Sequence, residues 1–220
     1  MAGLEYLHLQ PDQKEEALNF FYEIFVKDEG ELSSLGAGRN QQVTRDMENI
    51  MSQGISLLAR SGDGTMVGQL LCEVHKREDA MDTGNAPSFH TLLDRYQDPT
   101  WARFFHIGAI HVFWAKDLFT EFPTLDKVFD LGFLSVARKE RGKGIAGDLF
   151  RRGEVQAKEL GCQGMVVIAS TTATVKLAKR LNMVGWREYA WSEYRDEDGR
   201  QVFNIPKEKG EKLISFVKIF

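Results

Sequence analysis

Apolar positions along the chain change spacing several times, and each change predicts an element. "LEYLHL", Leu4 to Leu9, alternates and predicts a short strand. Beyond Pro11, Asp12 and Glu15 stand at capping-box spacing, and Leu18, Phe21, Tyr22 and Phe25 then share one helical stripe. "KDEGELSSLGAGRN", Lys27 to Asn40, is polar and punctuated by glycine, which predicts a loop, and residues 40–53 predict a second helix. "GISLLAR" and "TMVGQLLCEVHK" predict two strands joined at "SGDG". Residues 78–100 are polar and turn-rich, and residues 101–119 predict a helix rich in aromatic side chains.

The second half is more regular. "KVFDLGFLSV" predicts a strand, and "GIAGDLFRRGEVQAKEL" a helix with Ile145, Leu149, Gly153, Ala157 and Leu160 on one face. "GMVVIAS" is a continuous apolar run of the kind found in strands buried on both faces. "TATVKLAKRLNM" predicts a short helix whose stripe is Ala173, Leu177, Leu181 and Val184. "GWREYAWSEY" and "GEKLISFVKIF" predict closing strands, with "RDEDGR" as the turn between them. No linker divides the series, so residues 1–220 are expected to form a single mixed α/β domain.

Composition narrows the classes. At 220 residues, 43% hydrophobic and 27% charged, the chain can build a sizeable core. The net charge of -4 argues against nucleic acid as a partner. Two distant cysteines, Cys72 and Cys162, and no signal-peptide pattern lead to the expectation of a reduced, cytoplasmic protein. Residues 104–119 are too short and too polar to predict a membrane span. His75, His90, His106 and His111 lack ligand spacing, so no metal is expected. His106 and His111, five apart, are expected to pack or hydrogen-bond within a helix, and Cys162 to fill space before a buried strand.

Against that acidic background, Arg138, Lys139, Arg141 and Lys143 gather around Gly142, Gly144 and Gly147, between a strand and a helix. The first N–H groups of a helix lack internal acceptors and carry the positive end of the dipole, which makes an anion site. Glycine leaves the backbone open to a phosphate. A P-loop would need Ser or Thr after its lysine, and none is present; the literal G-x-G-x-x-G match from Gly142 to Gly147 lies late in the chain without a βαβ unit after it.

The better fit is R-x-x-G-x-A, Arg141 to Ala146, directly after an apolar strand. This run resembles the acyl-CoA motif of the GNAT superfamily of N-acyltransferases, and the resemblance is sharpest from Val128 to Trp186. It implies a central, mostly antiparallel sheet with two splayed parallel strands, flanked by helices. It also implies that Arg141, Gly142, Lys143, Gly144, Ile145, Ala146 and Gly147 hold the pyrophosphate of acetyl-CoA. Phe133, Leu134, Ser135 and Val136 would then pair with the pantetheine amides, and Thr171 would contact the cofactor from the other strand end.

Two further segments resemble the insect-type arylalkylamine N-acyltransferases, which include dopamine N-acetyltransferases. "FVKDEGELSSLG" is similar to that family's D-E-P-L segment, and "ASTTATVKLAKRLNM" to its C-S-S-x-x-S-A-R segment. Carried over, the general base is Glu29 and the assisting hydroxyls are Ser170 and Thr174. The chain departs from the pattern at Gly30 and Glu31, where the family has proline and leucine, so Glu31 competes for the base role. A solvated acidic loop is the plainer reading of Asp28, Glu29 and Glu31, and a strand end and a helix N-cap that of Ser170 and Thr174. The tyrosine acid of many GNAT enzymes corresponds here to Ala178.

The resemblance therefore implies acetyl transfer from acetyl-CoA to the primary amine of a small arylalkylamine, by direct attack on the thioester. The aromatic run from Trp101 to Trp114 offers pocket walls, although core packing accounts for most of it. A polyamine or protein amine as acceptor, and a non-catalytic acyl-CoA-binding module, stay open. The expected partners are acyl-CoA and a small amine, with no nucleic acid or membrane, and a monomer is expected.

Overall fold

The computed structural model describes residues 3–79, 86–109, 115–207 and 210–220. Its strands are β1 (Glu5–His8), β2 (Leu57–Arg60), β3 (Met66–Lys76), β4 (Lys127–Val136), β5 (Gly164–Ala169), β6 (Val184–Ala190) and β7 (Lys212–Ile219). They form one seven-stranded sheet in the order β1-β2-β3-β4-β5-β7-β6. Every pairing is antiparallel except β4 with β5. The helices are α1 (Lys14–Phe20), α2 (Gly30–Ser34), α3 (Gln41–Ser52), α4 (Phe89–Tyr96), α5 (Pro99–Ile107), α6 (Ala115–Glu121), α7 (Ile145–Glu159) and α8 (Thr172–Arg180).

One sheet face is covered by α7, whose stripe of Ile145, Leu149, Gly153 and Ala157 is buried against Leu70, Phe129 and Leu131. Gly153 is required there, because an added Cβ would meet Leu131 Cδ2 at 2.7 Å. The other face carries α1, α3, α4 and α5, packed around Phe21, Met47, Leu71 and Trp101.

The parallel pair decides where the sheet opens. β4 and β5 pair only across Val128–Asp130 and Gly164–Val166. Immediately afterwards the β3–β4 register slips: Leu71 faces Phe133, yet Glu73 faces Asp130. Leu131 and Gly132 therefore share the space opposite Cys72, which is a β-bulge, and a bulge bends and twists its strand. Gly132 fits the bend, since a Cβ there would stand 3.0 Å from Leu71 O. Past the bulge β4 keeps β3 as a neighbour and β5 keeps β7, but β4 and β5 no longer pair with each other. The sheet splays, as the resemblance implies.

Several expectations change. The loop over Lys27–Asn40 contains a helix, α2, and the turn-rich stretch 78–100 contains α4 and the start of α5. Within the stretch expected to be one helix over 101–119, the structure describes α5 and α6; His111 and the other residues of 110–114 lie outside the described residues. The reciprocal cap before α1 is made by Gln10 and Gln13 rather than Asp12 and Glu15. Past Phe20 the first helix widens into a π-helical turn, Phe21–Val26. Val184 does not extend the stripe of α8; it starts edge strand β6 and is 66% exposed.

Candidate active site

A cavity of 1010 Å³ opens at the splay. Its walls are the unpaired stretches of β4 and β5, the turn before α7, the start of α8, and the segment joining the π-helical turn to α2. From Leu131 onward, one edge of β4 has no neighbouring strand, so backbone groups on that side are open to an extended ligand.

At one end lies the glycine-rich turn. Gly142 and Gly144 have φ of +80° and +88°, and Gly144 is the N-cap of α7. That left-handed backbone is where a side chain adds strain, and it turns the first free N–H groups of a fifteen-residue helix to the cavity. Three basic side chains of the turn, Arg138, Arg141 and Lys143, are partnered within the protein. Arg138 donates to Asp28 Oδ1 at 2.6 Å, Arg141 donates to Asp28 Oδ2 and to Val136 O, and Lys143 pairs with Glu140. Burial pushes the Asp28 carboxyl up, but the hydrogen bonds from Arg138 and Arg141 outweigh it and hold it below the usual carboxylate range. Asp28 thus ties the turn to the neighbouring Glu29.

Glu29 and Glu31 are not a solvated loop: they are 7% and 2% exposed. Glu29 is the N-cap of α2, with its Oε1 accepting from Gly30 N at 3.1 Å. Ser170, at the end of β5, donates its Oγ to Glu29 Oε2 at 2.9 Å. Burial, then the nearby charge of Glu29, push the Glu31 carboxyl well above the usual range. Gly30 is matched to its neighbour: a Cβ there would stand 3.0 Å from Ile205 Cγ2.

The structure thus brings together Glu29 and Ser170, which are 141 residues apart in sequence. Thr174 also lines the cavity, but its hydroxyl is engaged with Thr171 Oγ1 at 2.9 Å, and Thr171 caps α8. Phe133, Leu134, Ser135, Val136, Ile145, Ala146 and Gly147 all line the cavity, with Arg141, Gly142 and Gly144; Lys143 does not. Ala178 is the buried residue of α8, and no tyrosine lines the cavity among the described residues. His106, on α5, hydrogen-bonds outside its own helix, to the Tyr194 hydroxyl at 2.7 Å.

Sequence reasoning missed several lining residues. Glu73 and Asp130 face each other across β3 and β4 on the face that carries α5, where Phe104 and Phe105 also line the cavity. Burial, and then the charge of Asp130, push the Glu73 carboxyl up. Burial pushes His75 down, but its hydrogen bond to Asp130 at 3.1 Å and the nearby acids more than reverse this, so its net shift is upward. The sequence signal was a lone acid inside each apolar run, "LLCEV" and "VFDLGF". Arg151, which is bonded to Asp148 and lies near Gly147, and Arg180 also line the cavity.

No protein-family model and no curated protein sequence matches the chain. Among solved structures it is similar to arylalkylamine N-acetyltransferase 2 from Aedes aegypti, with 21% identity, 99% of each chain covered and a TM-score of 0.84. It is also similar to the Drosophila melanogaster polyamine N-acetyltransferase that forms N-acetylagmatine, with 15% identity, 99% and 100% coverage and a TM-score of 0.81. The chain has the GNAT fold. A third structure, the C-terminal condensation domain of Ebony in complex with beta-alanyl-dopamine, aligns over 100% of both chains at 17% identity and a TM-score of 0.69. At these identities the GNAT likeness speaks for the fold, and chemistry must be argued from the residues of this cavity.

Proposed function

We propose that the chain is an acyl-CoA-dependent N-acyltransferase that acylates the primary amine of a small molecule. The carrying observation is that one cavity joins an open helix N-terminus, an unpaired strand edge and a buried carboxylate held by a serine. These are the parts needed to hold a pyrophosphate, an extended pantetheine and a reacting amine.

The residues fit that cosubstrate. The N–H groups after Gly144 accept an anion without a Cβ in the way, and Arg141, Arg151 and Arg180 add positive charge to the cavity lining. The free edge of β4 from Leu131 to Val136 offers amide partners to pantetheine, as an added strand would. The amine end of the cavity is defined by Glu29 and Ser170.

The chemistry assigns Glu29 its role. An alkylammonium resembling lysine has a pKa of roughly 10.4, so freeing its lone pair at neutral pH costs on the order of 4–5 kcal/mol. Glu29 takes the ammonium proton. The nitrogen lone pair forms the bond to the acyl carbon, the C–S bond breaks towards sulfur, and the thiolate takes the second nitrogen proton. Glu29 then returns its proton to solvent. Holding both partners in one cavity supplies much of the acceleration. Ser170 fixes the Glu29 carboxylate, and no covalent serine intermediate is required.

For the acceptor, Phe25, Phe104, Phe105 and Phe133 form aromatic walls that suit an arylalkyl group. A second reading rests on Glu73 and Asp130: two acids on the acceptor face suit a molecule with a second cation, such as a diamine or guanidino-amine. Free-thiol release from acetyl-CoA, measured with phenethylamine, tyramine, dopamine, putrescine, agmatine and a lysine-containing peptide, tests the proposal. Turnover with at least one small amine is expected. Acetyl-CoA binding without turnover of any amine would instead mark a binding module.

A further inference from the structure

We propose that the segment between β6 and β7 holds the Glu29–Ser170 pair in its working geometry, with Ile205 as a positioning residue that acts through Gly30 and Glu29. This rests on the reading of Glu29 as the base of an N-acyltransferase.

The segment is firmly anchored. Trp191, Tyr194 and Phe203 are buried, and the Phe203 ring centre lies 5.6 Å from that of Trp191 and 5.1 Å from that of Tyr194. Arg195 and Gln201 form a β-bridge between the two arms of the segment. His106 of α5 is hydrogen-bonded to the Tyr194 hydroxyl. Close-packed aromatic side chains of this kind fix the backbone that carries them. Ile205 follows Phe203 by two residues and packs on the same cluster, together with Leu35 at the end of α2 and Ile168 on β5.

From this anchor the segment reaches both halves of the pair. A Cβ on Gly30 would have three atoms of Ile205 as its nearest neighbours, Cγ2 at 3.0 Å, Cδ1 at 3.4 Å and Cγ1 at 3.7 Å. The Ile205 side chain therefore lies directly against the backbone of Gly30, whose N–H donates to Glu29 Oε1 at 3.1 Å. At the other end Gly210 has φ +136°, and a Cβ there would stand 2.6 Å from Ser170 O. Ser170 donates its Oγ to Glu29 Oε2. One segment thus backs both members of a hydrogen bond that joins residues 141 apart. Ile205 does not line the cavity, so it reaches the reacting amine only through Glu29.

The residue at position 30 fits this role. The segment that the chain resembles has proline there, and a proline would have no N–H to give to Glu29 Oε1. A residue with a side chain would keep the donor but press on Ile205. Glycine keeps both contacts, yet it is the residue with the most backbone freedom to lose. The side chain of Ile205 supplies the restraint that glycine lacks. A base must stand within hydrogen-bond reach of the proton it removes, so that restraint bears on turnover.

The test measures kcat, amine KM and acetyl-CoA affinity for Ile205→Ala, Ile205→Val, Gly30→Ala and the double variant Gly30→Ala/Ile205→Ala. Ile205→Ala and Gly30→Ala are measured again in a Glu29→Gln background. Ile205→Ala should lower kcat by about tenfold, since a misplacement of about 1 Å can cost about 10²-fold. Acetyl-CoA should bind as in the wild type, and Ile205→Val, which keeps Cγ2, should recover most of the loss. The double variant should lose less than the product of the single losses, because the methyl added at position 30 takes up the vacated room. In the Glu29→Gln background Ile205→Ala should cost nothing further. A wild-type kcat in Ile205→Ala, equal losses in the two backgrounds, or acetyl-CoA affinity falling in step with kcat would overturn the proposal. If Glu29→Gln itself turns over like the wild type, the base reading fails and the positioning role falls with it. If Glu29→Gln is crippled and Ile205→Ala is not, the positioning role alone fails. Should Ile205→Ala not fold, Gly30→Ala decides: a loss seen only with Glu29 present supports the proposal, and equal losses in both backgrounds contradict it.

Discussion

At position 31 a carboxyl group occupies a place where an apolar side chain would cost nothing in charge. Its pKa is raised in the folded state, so the folded chain holds a proton that the unfolded chain releases. The stability that this proton contributes is fully present below the ordinary carboxyl range. It is lost progressively as pH rises from that range towards the raised value. Glu31→Gln removes the titration and keeps nearly the same side-chain volume. Its melting temperature relative to wild type should therefore climb with pH from the ordinary carboxyl range upward, by about 2–4 °C for each kcal/mol relieved. Parallel melting curves for the two proteins across that window would contradict a raised Glu31. The sequence pointed to Glu29 through a resemblance and to Ser170 through another, but it offered Glu31 only as a rival base. Nothing in "KDEGELSS" says that the second glutamate is buried as deeply as the first, because that burial depends on a helix of five residues covered by α5 and Ile205.

At the scale of elements, the β4–turn–α7 unit was legible because its pattern is local. The strand is a single apolar run, the helix has a clean stripe, and glycine marks the left-handed positions between them. α2 and α4 were not legible. Each is short, five and eight residues, and tertiary packing rather than propensity holds it. The bulge at Leu131–Gly132 was invisible for a related reason: register is a property of two strands, and one sequence shows only one of them. The turn gives the sharpest test at this scale. Gly144→Val should lower acetyl-CoA affinity at least about tenfold, equivalent to about 1.4 kcal/mol. An added Cβ meets no protein atom within 4 Å, so the loss would come from backbone strain and from crowding the anion site. Gly36→Val is the control, since Gly36 has φ +70° with equally open space and lies outside the cavity. Calorimetry should find affinity lost in the first variant and kept in the second; equal affinities would remove the turn from the binding site.

At the scale of the molecule, the order of strands does the positioning. The parallel β4–β5 pair stops after three residue pairs, and the cavity opens where it stops. The basic end belongs to α7 and the turn before it, and the acidic end to α2, β3 and β4, with the splay between them. Asp28 spans the two, bound to the turn's arginines and one residue from Glu29. The element order and the splay could be anticipated from sequence. The acidic floor of Glu73 and Asp130 could not, because two lone acids in separate apolar runs meet only through the β3–β4 register.

The central claim is that Glu29 removes the amine's proton while the cofactor is held elsewhere in the same cavity. The most direct measurement is kcat/KM of Glu29→Gln with the best amine of the panel, across pH, with acetyl-CoA affinity measured alongside. Acetyl-CoA should bind as in the wild type, and kcat/KM at neutral pH should fall by about 10²–10⁴, the usual contribution of a positioned base. The deficit should shrink as pH rises and more of the amine arrives neutral. A variant whose kcat/KM stays within a factor of a few of the wild type at neutral pH would contradict the account.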